Sequence, residues 1–415
     1  MQRVLRSLPP FAVVILIASC DGISAPDENV PITSLPRELS VAEGKLIEAD
    51  NRFAFKLFRA INDEAGDSNL FISPLSVGMA LGMTYNGAAG TTQEAMQQTL
   101  ELQGMTIAEV NQSYRDLIDL LTGLDSRVEF TIANSIWYRP EWAFEQAFLD
   151  VNREFFDAEV VGLDFDAPTA GRQVNQWVAD KTKGKIDKIV ADGPLSDLIM
   201  LLINAIYFKA DWTSQFDKSL TEDGPFTLKD GSRTTAKMMW HKDPVSVWLY
   251  RGDGVTVVDL PYGGQAFSMT ILVPDSPQGI DALVGGLTQE QWSSWIAGLD
   301  STGLVVSMPK FKLEYEIKLN DVLQGLGMAV AFAPGEADFT RMYVPGGIWI
   351  DWVLHKTFVD VNEEGTEAAA VTAVAMTVSA GPPSLIIDRP FVFVIREKFS
   401  GTILFMGKVM DPTAG

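Results

Sequence analysis

An α+β fold, with helices gathered early and strands later, is what this 415-residue chain predicts. Three observations carry that reading. Apolar residues recur at helical spacing through residues 46–121. Residues 198–208 form a near-continuous apolar run. After Pro225, short apolar runs are separated by turns rich in Gly, Pro and Asp. With 47% hydrophobic residues the chain can fill a large core, and no Pro/Ser-rich linker or internal repeat divides it beyond about residue 45.

In order along the chain, residues 46–61 present a helical apolar stripe. Pro74 occupies a first-turn position ahead of a helix over 75–83, and further helices are expected over 92–100 and 106–121. Residues 128–138 mix Phe130, Ile132 and Ile136 with small or polar side chains, as a strand does. A helix follows at 171–182, and then the run 198–208, whose composition fits a strand covered on both faces. Later strands are expected at 245–250, 255–260, 267–273, 305–309, 391–395 and 402–409.

The N-terminus reads as an export signal over residues 1–19. Arg3 and Arg6 precede an apolar run at 11–17, which is too short to cross a bilayer as a helix. Ile17-Ala18-Ser19-Cys20 resembles a bacterial lipoprotein box, so Cys20 is the expected lipidation site and new N-terminus. Residues 20–44, with their prolines and acids, read as a flexible tether ahead of a domain at 45–415. The expected location is outside the cytoplasm, lipid-anchored to the cell envelope on its periplasmic or extracellular side. A single cysteine excludes a disulfide within the chain, and the net charge of −22 argues against nucleic acid or heparin-like polyanions as partners. The densest basic cluster, Lys181, Lys183, Lys185 and Lys188, reads as a solvated helix end.

Enzyme chemistry finds little footing. There is no G-x-S-x-G elbow, no H-E-x-x-H, no phosphate-binding G-x-x-x-x-G-K-[ST] loop and no zinc spacing; only His241 and His355 supply imidazole. No catalytic residue, metal or cofactor is therefore expected. His241, in Trp240-His241-Lys242-Asp243, reads as a surface turn residue.

The most informative stretch is 363–383. Residues 366–380 contain no Gly or Pro, and Glu367 is their only charge. A surface loop of that length is normally polar and rich in turn residues, whereas this one has the composition of a buried strand. In a strand, one face would carry Thr366, Ala368, Ala370, Thr372, Val374 and Met376. The other would carry Glu367, Ala369, Val371, Ala373 and Ala375, so the lone charge falls on one side. Gly365 stands before the segment, and Gly381, Pro382 and Pro383 stop it. The composition alone leaves an ordinary buried strand or an Ala-rich helix open.

The pattern Glu363, Gly365, Thr366, Glu367, Ala368, Ala369 resembles the reactive-loop hinge of the serpins. An ordered set of further motifs resembles the same family: Asn69 with Ser73-Pro74 and Ser76, Asn204-Ala205-Ile206-Tyr207-Phe208-Lys209 with Trp212, Leu260-Pro261-Tyr262, Pro309-Lys310-Phe311, Leu326-Gly327-Met328, Arg389-Pro390-Phe391, and Leu404-Phe405-Met406-Gly407-Lys408-Val409. The resemblance runs from residue 46 to residue 412. It implies one domain of three β-sheets with eight to nine helices, an exposed reactive-centre loop, and a strand over 357–364 leading into that loop.

For function, the resemblance implies a suicide-substrate inhibitor of serine proteases, whose cleaved loop inserts into the central sheet and traps the acyl-enzyme. Glu363, Gly365, Thr366, Glu367, Ala368, Ala369 and Ala370 would form the hinge. Aligned with the family forward from Gly365 and back from Pro390, the resemblance implies a reactive bond at Ser379–Ala380, with Val378 as the alternative. A small residue there suits elastase- or subtilisin-like proteases with small or apolar primary pockets. Ser73, Ser76, Asn204, Trp212 and His355 are expected in the sheet-opening region, with His355 hydrogen-bonded to Asn204 and to the Ser73/Ser76 region. The stretch where some members bind glycosaminoglycan, residues 106–121, holds Arg115 against Glu109, Asp116 and Asp119. The expected protein is a monomer with a tendency to loop–sheet polymerisation. The alternative is a non-inhibitory binding or chaperone-like member of the family.

Overall fold

The computed structural model describes residues 30–366 and 382–414. Cys20, the hinge residues from Glu367 to Ala370, and Val378, Ser379 and Ala380 lie outside the described residues.

Helices dominate the first third. Helix α1 (Val41–Ala65) opens with a capping box in which the Ser40 hydroxyl accepts from the Glu43 N–H at 3.2 Å. The Glu43 carboxylate returns the contact on the Ser40 N–H at 2.7 Å. Strand β1 (Leu70–Ile72) leads to α2 (Pro74–Tyr85), with Ser73 as N-cap and Pro74 in the first turn. Helices α3 (Gly90–Thr99) and α4 (Ile107–Gly123) follow, the latter with a Thr106–Glu109 capping box. Then come β2 (Val128–Tyr138), α5 (Gln146–Phe156), β3 (Glu159–Gly162), α6 (Ala170–Lys181) and β4 (Met200–Asp211).

The second half is mostly strands: β5 (Glu222–Thr227), β6 (Arg233–Trp240), β7 (Val245–Gly252), β8 (Val255–Tyr262) and β9 (Phe267–Pro274). Helices α7 (Ile280–Gly285) and α8 (Gln289–Ala297) precede β10 (Asp300–Pro309) and β11 (Phe311–Lys318). The short α9 (Asn320–Leu323) then leads through irregular chain to β12 (Leu354–Val361) and β13 (Gly365–Thr366). Strands β14 (Ser384–Ile386), β15 (Phe391–Glu397) and β16 (Ile403–Val409) close the chain.

Among the described residues these strands form two ladders. The larger runs β1-β16-β15-β9-β8-β7-β10-β6-β5, with β14 alongside β10. It turns at β10, whose residues 300–304 pair with β7 and whose residues 307–309 pair with β6. Two of the three expected sheets are thus joined through one strand. The third sheet runs β11-β12-β13-β4-β2-β3. The main core lies between that sheet and β1, β15 and β16, with α1, α2 and α4 packed into it. A smaller apolar cluster lies on the opposite face, where Leu201 and Ile203 of β4 meet Val174 and Val178 of α6.

Strand β4 therefore does have two covered faces, as its apolar run predicts. Its even-numbered residues Met200, Leu202, Asn204 and Ile206 are nevertheless only half-buried, because they line an opening beside the strand.

Candidate functional site

Strands β4 and β12 stand next to each other in the sheet order with only the two residues of β13 between them. Gly365 and Thr366 pair antiparallel with Asp211 and Ala210 of β4, and Thr366 pairs antiparallel with Val361 of β12. Beyond Thr366 the two long strands flank a cleft of about 440 Å³. Its walls include Leu201, Ile203 and Asn204 from β4 and His355, Thr357 and Phe358 from β12, with Ser73 and Val77 of the α2 region on one side and Val178 of α6 on the other.

The upper end of this slot is held by a dense set of contacts. Gly365 lies so close to β4 that a Cβ would fall 2.0 Å from the Ala210 carbonyl oxygen, so only glycine fits. Thr366 is buried, with its hydroxyl 2.7 Å from the Tyr262 hydroxyl. Burial pushes the Tyr262 phenol far above its ordinary value, so it stays protonated. Tyr262 stacks on Trp212 at 4.3 Å, and Trp212 donates its indole N–H to the Asn362 carbonyl at 2.9 Å. The Trp212 and Phe216 backbone N–H groups donate to the carbonyls of Glu364 and Glu363.

Glu363 is nearly buried. Its carboxylate accepts from Lys310 at 2.8 Å and from the Thr221 hydroxyl at 2.7 Å. Burial alone would raise its pKa; the Lys310 and Thr221 hydrogen bonds outweigh that and bring it below the ordinary value. Glu364 pairs with Lys218. Of these holders, Tyr262 and Lys310 lie in stretches singled out by resemblance, whereas nothing in the sequence marks Lys218 or Thr221.

Lower in the slot, Ser73, Ser76, Asn204 and His355 come together. The buried His355 accepts the Ser73 N–H on Nε2 at 2.9 Å. Burial lowers its pKa to about 4, so the ring is neutral. The Ser73 hydroxyl donates to the Leu404 carbonyl at 2.8 Å, and the Ser76 hydroxyl donates to the Asn204 carbonyl at 3.4 Å. The start of α2 is thereby tied to both β12 and β4, the two strands that border the slot.

Two expectations are corrected here. His355 is expected to bond Asn204; instead the Asn204 amide donates to Asn134 at 2.7 Å, and the link between the two strands runs through Ser73 and Ser76. The physical reason is that Asn204 reaches across its own ladder to β2, where Asn134 is its direct partner. His241 is expected on the surface but is buried, its ring stacked on Phe216 at 4.0 Å and its Nε2 3.0 Å from the Ser214 carbonyl. The turn after β6 folds under the 212–216 segment, a long-range contact that local sequence does not encode. Trp212 stands at the upper end with Tyr262, apart from the Ser73–His355 cluster.

This geometry agrees with the comparisons. The family model described as Serpin (serine protease inhibitor) matches residues 48–412, and the chain belongs to that family. Human leukocyte elastase inhibitor is 35% identical over 379 residues, covering 89% of this chain and all of the relative. Serpin B6 of Pongo abelii is 34% identical over 376 residues, covering 88% of this chain and 99% of the relative. Among solved structures, thyroxine-binding globulin in complex with thyroxine matches with a TM-score of 0.80 at 27% identity, covering 89% of this chain and all of that one. A cleaved serpin, Serpin 42Da, matches with a TM-score of 0.80 at 26% identity over 89% of this chain and 99% of that one.

Proposed function

We propose that the chain is a suicide-substrate inhibitor of serine proteases with small or apolar primary pockets, elastase- or subtilisin-like. One observation carries this reading: β13 already lies between β4 and β12, antiparallel to both, at the head of an open slot. The relatives named for elastase inhibition support it.

In this mechanism the protease serine attacks the Ser379 carbonyl, the bond to Ala380 breaks, and an ester links Ser379 to the protease. The freed end then continues β13 down the slot. Keeping the register of Thr366 against Ala210, position 376 comes opposite Met200. Even-numbered positions share the core face with Thr366, and there the segment offers only Ala368, Ala370, Thr372, Val374 and Met376.

About a dozen new ladder hydrogen bonds at roughly 0.5–1.5 kcal/mol net each supply on the order of 10 kcal/mol. The intact fold is therefore held by a kinetic barrier rather than by equilibrium. Mixing with an elastase-type protease should give an adduct that survives SDS. Clean cleavage with protease activity fully retained overturns the proposal, and sequencing the released peptide decides between Ser379 and Val378.

We further propose that residues 1–19 are removed, Cys20 is acylated, and residues 20–44 tether the domain at 45–415 to a bacterial cell envelope. Cys20→Ser should release the protein from membranes; unchanged sedimentation would rule lipidation out. The working form is a monomer, with loop–sheet polymerisation on mild heating as its liability.

A further inference from the structure

Residues 212–216, which hold the turn from β12 into β13, are themselves braced by His241. The Trp212 N–H donates to the Glu364 carbonyl at 2.8 Å and the Phe216 N–H to the Glu363 carbonyl at 2.9 Å. Against this segment lies the His241 ring, stacked on Phe216 at 4.0 Å and 19°, with Nε2 3.0 Å from the Ser214 carbonyl. Phe216 in turn meets the Trp212 indole edge-on at 6.0 Å, so the brace reaches the Trp212–Tyr262 stack. The His241 N–H donates to the Val306 carbonyl at 3.1 Å, which fixes the imidazole to β10.

The ring can do this only while neutral. A carbonyl accepts and never donates, so Nε2 carries the proton and Nδ1 is bare. His241 is 4% exposed, and Nδ1 has no hydrogen-bond partner among the described residues. The cavity that His241 helps to line measures about 10 Å³, no more than the least that holds one water. A second ring proton would be buried with nothing to accept it. Burial accordingly pulls the imidazole below its ordinary value, the Ser214 and Val306 carbonyls opposing only in part. No nearby carboxylate offsets this. Asp217 is bonded to Ser219, Lys218 to Glu364 and Glu363 to Lys310, while Lys242 and Asp243 are exposed on the ring's own turn. Residues 245–247, 260–261 and 305–307, on the strands packed around it, carry no charge.

We propose that His241 is a positioning residue for trapping, whose neutral ring holds residues 212–216 in place to receive the Glu363 and Glu364 carbonyls and so keeps β13 in register. Losing that brace, by substitution or by a second ring proton, frees the turn into β13 and slows the start of insertion. Deacylation then gains on trapping. The inference rests on the inhibitor reading and deepens it.

The test compares wild type, His241→Gln and His241→Ala. Glutamine can still donate to the Ser214 carbonyl and takes up no proton; alanine does neither. Hydrogen exchange at the Trp212 and Phe216 amides is read from pH 7.5 down to 4.5, corrected for intrinsic rates. At pH 7.5 alanine should lose about tenfold in protection, and glutamine less than about threefold. As pH falls below 6.5, wild type should lose protection toward the alanine level while glutamine, which keeps His355, holds its own. The number of inhibitor molecules consumed per protease trapped, read at pH 7.5, should rise about threefold or more for alanine and stay near wild type for glutamine. Alanine as well protected as wild type, or glutamine with the acid profile of wild type, overturns the brace. Lost protection with unchanged consumption overturns the positioning role. If alanine does not fold, the acid profiles of wild type and glutamine decide alone. If wild type forms no adduct, the inhibitor reading fails while the exchange data still decide on the brace.

Discussion

Replacing Thr366 by arginine tests the slot most directly. Thr366 is 4% exposed, its hydroxyl meets the buried Tyr262 hydroxyl at 2.7 Å, and Trp212 closes the site by stacking on that ring. A guanidinium there would meet a protonated phenol and two aromatic faces, with no carboxylate holding that hydroxyl. An unpaired buried charge costs about 3–5 kcal/mol. That is less than the total of on the order of 10 kcal/mol available from full insertion. It falls, however, at the head of the slot, on the residue that must stay seated before later residues can add their bonds.

At about 1.4 kcal/mol per factor of ten, insertion slows by roughly 10²–10⁴, enough for deacylation to win. Thr366→Arg should therefore be cleaved as an ordinary substrate, releasing active protease, while the intact protein keeps a Tm near wild type because β13 can swing out of the slot. Thr366→Val, similar in shape and uncharged, should still form the SDS-stable adduct. The assay is adduct formation on a gel alongside recovery of protease activity. An arginine variant that traps protease as well as wild type would refute insertion along this register.

Other outcomes follow from the same contacts. Gly365→Ala would drive a methyl into the Ala210 carbonyl, so β13 should leave the slot and adduct yield should fall; the yield on a gel checks it. His355 titrates near 4 against an ordinary 6.5. The unfolded chain binds the extra proton between those values, so stability from this group is complete above pH 6.5 and lost as pH falls toward 4, by about 3 kcal/mol. His355→Gln should flatten that part of the urea-unfolding profile. Asp50 runs the other way: burial raises it to about 7 from 3.8, with the Tyr114 hydroxyl bond only partly opposing. Its contribution is complete below pH 3.8 and lost as pH rises through 7, so Asp50→Asn should be more stable than wild type at pH 8 by a few (about 2–4) kcal/mol, a margin that closes toward pH 4. The two slopes oppose each other between pH 4 and 6.5, so single variants are needed to see either.

Local chemistry determined a good deal of this protein. The Ser73-Pro74 start of α2 and the strand over 128–138 were legible because caps, first-turn prolines and strand-like composition depend on near neighbours in the chain. The small, nearly uncharged composition after Gly365 was equally plain in the sequence; the insertion read from it stands as the proposal, because residues 367–381 lie outside the described residues. Even the α+β class could be read from the order of the runs. The strands β3, β5 and β6 were not marked, because their edges are short or exposed and their patterns weak.

Only the tertiary structure decided which groups hold the slot. His355 meets Ser73 at a separation of 282 positions along the chain, Thr366 meets Tyr262 at 104, and Glu363 meets Lys310 at 53. The burial of His241 under Phe216 is of the same kind. A carboxylate or imidazole looks the same in sequence whether it faces solvent or a partner. Its pKa, its bond and its effect on strand separation come from what the fold brings against it.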